Sequence, residues 1–75
     1  KMTIQITGTV EYIDMGTGTW ALVTDIDEQY EIWQPAPEEI LQEGLKITVT
    51  AKVRDDVMTM AAIGDVIVIE DFQIP

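Results

Sequence analysis

The chain has 75 residues with 14 acids against 4 bases, a formal net charge of −10, which bounds it to one small domain with a modest core. It contains no His, Cys, Ser or Asn. That excludes Ser-His-Asp and Cys-His catalysis, disulfides, and any zinc site built on His or Cys.

Thr3 to Ile13 alternates, with Ile4, Ile6, Val10 and Tyr12 on one face and Gln5, Thr7, Thr9 and Glu11 on the other, the period of a strand with one buried side. Gly8 falls on the core side of that strand and predicts a bulge or sharp coil there. Met15-Gly16-Thr17-Gly18 supplies the reversal of a hairpin. Trp20 to Thr24 is the second strand, and Asp25-Ile26-Asp27-Glu28 is a polar turn into the third, Gln29 to Gln34. In the third strand Tyr30 and Ile32 are expected inward, with Glu31 and Trp33 on the opposite face.

Pro35 to Gly44 has helix punctuation: Pro37 and two acids at the start, Gly44 at the end. A short helix of about two turns is predicted near residues 36–43, with Ile40 and Leu41 plugging the core. Leu45 to Val53 alternates cleanly, and Arg54-Asp55-Asp56 turns it. Val57 to Ala62 and Val66 to Phe72 then read as one strand interrupted near Gly64, or as two short ones. The run Val66-Ile67-Val68-Ile69 is apolar on both faces, which implies a strand covered on both sides. Val10, Leu22, Ile47, Val49 and Ile69 are the expected core. No run is long and apolar enough to span a bilayer, and no signal peptide is seen. Lys1 ahead of Met2 reads as a remnant or as a sign that the natural start is missing.

Three strands, a short helix and two strands is the order of a five-stranded OB-fold barrel, so residues 1–75 are read as a single OB-fold-like, all-β domain. The chain resembles small OB-fold-like domains of unassigned function from microbial proteins. The resemblance rests on Gly8-Thr9-Val10, Tyr12-Ile13, Trp20 to Asp25, Glu28 to Glu31, Glu43-Gly44-Leu45, Val53 to Asp56 and Glu70. It implies a fold and no activity.

OB-folds bind across strands two and three with the loops between strands one and two and between four and five. By position that surface includes Trp20, Trp33, Met15 to Thr19, and Arg54 to Val57. Aromatics there would stack on bases or sugars, or anchor a protein partner. The competing reading makes Trp20, Tyr12 and Tyr30 core residues; Met58 and Met60, on one strand face, are read as core filler, with an adaptable partner surface shared with Met15 as the alternative. Asp25, Asp27 and Glu28 lack the ligand pattern of a calcium loop and are read as a polar turn. No cofactor or metal is implied. The favoured reading is a non-enzymatic binding module for a protein or cationic partner, using Trp20, Trp33, Met15 and Arg54. A nucleic-acid-binding OB domain is opposed by charge, because clustered Lys and Arg are missing. Anionic membranes are opposed for the same reason. A carbohydrate or small-ligand binder using Trp20 and Trp33 is the other alternative. Cysteine usage is silent on compartment, and both a cytoplasmic domain and an exported mature domain fit.

The charge imbalance carries its own expectation. Like charges repel in the compact state and salt screens them. The thermal midpoint at pH 7 should therefore rise between low salt and about 0.3 M NaCl. A flat or falling midpoint in a circular dichroism melt would show that the acids are already compensated.

Overall fold

Alternation in the sequence becomes five strands in the computed structural model, which describes residues 3–75. They are β1 (Thr3–Ile13), β2 (Thr19–Val23), β3 (Gln29–Ile32), β4 (Lys46–Arg54) and β5 (Asp65–Gln73). Their order around the sheet is β1-β2-β3-β5-β4, and β4 returns to β1, so the ring closes. The β3–β5 ladder is parallel and the other four are antiparallel. The protein is thus the all-β, five-stranded barrel that the order of elements predicted. Lys1, and its reading as a remnant, lies outside the described residues.

Closure depends on β1 serving two neighbours. Thr3 to Thr9 pair with β4 and Thr9 to Ile13 pair with β2, so Thr9 faces Lys46 on one side and Val23 on the other. Gly8 sits at this change of partner and is buried. A Cβ on Gly8 would stand 2.6 Å from the Val23 carbonyl oxygen. That is backbone, and it has no rotamer with which to move aside.

Val10, Leu22, Ile32, Ile47, Val49 and Ile67 fill the interior with Ile6 beside them. In β3, Ile32 is buried and Tyr30 packs against the core, as the alternation predicted. Burial, with Glu28 nearby, raises the Tyr30 phenol above its ordinary pKa. Ile69, expected to be largely buried, is only half-buried and packs against the core from its edge. The β4–β5 register shifts between Thr50 and Ala51, so β5 carries an irregularity beside Ile69. Tyr12 is exposed because the end of β1 runs past the filled part of the barrel.

Two links differ from expectation. The helix predicted near 36–43 is one 3₁₀ turn, Glu38–Ile40. Its continuation is taken up by β1: the Gly44 amide donates to the Val10 carbonyl, and the Val10 amide donates to that of Leu45, both at 2.8 Å. Ile40 is fully buried and plugs the barrel end, with the half-buried Leu41 packed behind it. Second, Val57 to Ala62 joins no ladder. The Thr24–Asp27 turn closes with the Asp27 amide on the Thr24 carbonyl at 3.0 Å, and Asp27 takes a φ of 63°, a conformation that Asp tolerates.

The close approach at Gly8 predicts that Gly8→Ala destabilises the barrel by about 1–3 kcal/mol, as overpacking against an immobile group does. Chemical denaturation checks this. An unchanged midpoint would mean that β1 has slack at its change of partner.

Candidate functional site

Ala21, Glu31 and Val66 lie side by side across β2, β3 and β5 on the outside of the barrel. An outer face in a single-layered barrel is ordinarily wet, yet these three are only 0%, 7% and 6% exposed. What covers them is the link between β4 and β5, residues 55–64, which lies across the sheet as a strap. Its residues alternate: Val57 and Thr59 are half-buried and Ala61 is buried, while Met58 and Met60 are exposed.

Glu31 ties the strap down. The Thr59 hydroxyl donates to one carboxylate oxygen of Glu31, and the Thr19 hydroxyl donates to the other at 3.1 Å. Each oxygen of a buried carboxylate thus has a donor, which offsets the cost of removing it from water. The strap also meets the β1–β2 loop. Gly16, at a φ of 61°, lies so close that a Cβ there would stand 2.7 Å from the Met60 Cβ. An open groove of about 290 Å³ runs beside the strap, bounded by Val57, Met58, Thr59, Ala62, Gly64 and Val66.

The four residues singled out in the sequence fall into separate settings. Trp20 shares the core side of β2 with Leu22, packs half-buried against the core, and meets Tyr12 edge-on with ring centroids 5.3 Å apart. Trp33 is half-buried, and the Arg54 guanidinium lies over its ring, 5.4 Å from the centroid. Arg54 in turn donates from Nε and Nη2 to the two carboxylate oxygens of Asp56, at 2.9 and 3.1 Å. That pairing raises the guanidinium pKa still further. Met15 is 51% exposed on the β1–β2 loop. The structure therefore brings Trp33 to Arg54, leaves Met15 exposed on the loop that meets the strap at Gly16, and packs Trp20 against the core.

The strap overturns one expectation outright. Met58 and Met60 are not core filler; they are 97% and 79% exposed. Thr59 between them points at Glu31, so its two neighbours are turned to solvent. Sequence reading missed Glu31 as the anchor of this arrangement. The signal available was the two-faced apolar run in β5: Val66 needed a cover, and the strap supplies it. Among the described residues no group of three or more carboxylates is placed to hold a metal ion.

No family model matches the chain, and a search of curated proteins returns no match.

A hydrogen bond to a carboxylate contributes about 1.5–3 kcal/mol. Thr59→Val keeps the side chain's shape and removes the donor, so it should destabilise the domain by about 1–3 kcal/mol and speed amide exchange across the strap. Unchanged stability and exchange would show that packing alone holds the strap.

Proposed function

We propose that this domain is a non-enzymatic binding module. Its working surface is the methionine ridge formed by Met15, Met58 and Met60, and its partner is a protein segment carrying basic and apolar side chains. The observation that carries this reading is the exposure of Met58 and Met60 on a strap that is itself anchored. Flexible thioether side chains suit an adaptable protein contact, and the ridge sits on a chain with a net charge of −10. Asp14 and Asp55 flank it in sequence. A cationic partner gains from that field in both association rate and selectivity.

The strand order and the plug between β3 and β4 support an OB-fold-like description of the barrel. On such barrels the face of strands two and three is the usual binding surface. Here the strap occupies it, and the surface offered to a partner is the outside of the strap. Nucleic acid fits poorly. Arg54 is held by Asp56 and Lys52 pairs with Glu70 at 3.4 Å, so that, among the described residues, Lys46 and these two make no basic track to follow a phosphate backbone. Sugar stacking on Trp33 would first have to displace Arg54 from its ring. For catalysis the chain offers no histidine, cysteine or serine.

Fluorescence anisotropy with two labelled amphipathic helical peptides, one of Lys and Leu and one of Glu and Leu, tests the reading. The Lys-Leu peptide should bind and weaken with added salt, and Met58→Ala with Met60→Ala should weaken it at least about tenfold, or about 1.4 kcal/mol. Equal binding of the Glu-Leu peptide, or indifference to the two substitutions, would sink it. Oligo-dT should show no binding tighter than about 100 μM at physiological salt, the weak end of non-specific association.

A further inference from the structure

Three of the chain's four methionines sit in the two loops that meet at Gly16 and Met60. A side chain that is 97% exposed buries nothing, so packing gives no reason for a thioether at position 58. The two loops that carry them come into contact at Gly16 and Met60. Thr59 is turned inward by its bond to Glu31, which leaves Met58 and Met60 as alternate residues on the solvent side of the strap. Gly16 seats the β1–β2 loop against the Met60 Cβ, and Met15 is the next residue, also exposed. Each methionine has three rotatable bonds with which to turn its sulfur.

We propose that Met15, Met58 and Met60 form a thioether site for a soft monovalent cation, Cu(I). Neutral sulfur ligands select Cu(I) over hard cations such as Mg²⁺ and Ca²⁺, which take oxygen. The chain has no cysteine or histidine to compete for the ion. Its net charge of −10 raises the local concentration of any cation without supplying soft ligands of its own. The anchored strap matters here, because the bond from Thr59 to Glu31 fixes the backbone that presents two of the three sulfurs. Binding at this site involves no electron transfer and no bond cleavage; three sulfur lone pairs replace the ion's previous ligands. The inference does not depend on the protein-docking reading of the same ridge, since it rests on sulfur and not on apolar area.

Competition with bicinchoninate under anaerobic conditions measures Cu(I) binding. Ag(I) serves as a redox-inert probe for nuclear magnetic resonance of the methionine ε-methyl groups. One equivalent of Cu(I) should be withdrawn from the chelator. The ε-methyl signals of Met15, Met58 and Met60 should shift together and stop shifting at one equivalent of Ag(I). Met58→Leu and Met60→Leu should each weaken binding at least about tenfold, and Met15→Leu with both should abolish it. Wild-type protein that withdraws no Cu(I) yet binds the Lys-Leu peptide overturns this site and leaves the docking reading standing, and the opposite pair of results does the reverse. These side chains are exposed, so melting midpoints should stay unchanged in every variant. Three results would each overturn the site: no withdrawal of Cu(I), undiminished binding by the triple variant, or shifts that include Met2 with equal stoichiometry.

Discussion

The closure of this barrel depends on one strand being shared. β1 gives its first half to β4 and its second half to β2, and Thr9 belongs to both. A ring of five short strands has to curve sharply, and the curvature is concentrated where the Val23 carbonyl passes over Gly8. Any side chain there would push β2 away from β1. Everything placed by β2, from the buried Leu22 to the Thr19 hydroxyl on Glu31, follows from that contact.

The strap completes what a 75-residue barrel cannot supply alone. A single-layered sheet of this size has one interior, and its outer face must be polar or covered. On β2, β3 and β5 it is covered. The cover is held by a carboxylate–hydroxyl cluster beside the buried Ala61, and the cluster explains why threonine at 59 faces the protein while Met58 and Met60 face water. A strap that used its methionines inward would leave the Glu31 carboxylate without the Thr59 donor, which is the costlier arrangement for a buried charge.

Much of the fold was legible in the residues. The alternation in Leu45 to Val53 became β4, Tyr30 and Ile32 turned inward, and Ile40 plugged the barrel end. Val57 to Ala62 shows why the rest was not. Its alternation is real, since its residues do face alternately in and out, but a period of two says nothing about hydrogen bonding. The segment lies on the sheet and not in it. The helix signals around Pro37 and Gly44 were likewise genuine in kind, but the backbone of β1 claims Gly44 and Leu45 and leaves only one 3₁₀ turn. For the candidate site, the sequence named Met15 as a binding residue and favoured Met58 and Met60 as filler over a partner surface shared with Met15. Their common surface depends on Thr59 meeting Glu31 across 28 positions, and no local pattern reports a contact of that kind.

β3 is four residues long and is held by only three residue pairs on each side. Its central acid, Glu31, is also the residue to which the strap is tied. The shortest strand of the ring and the strap between β4 and β5 therefore share one fastening. Neither can come loose without loosening the other, and together they make up one cooperative unit of partial unfolding. Opening that unit would part the parallel seam between β3 and β5 while leaving β1 and β4 zipped over seven pairs. The rest of the barrel would then persist as a sheet with two open edges.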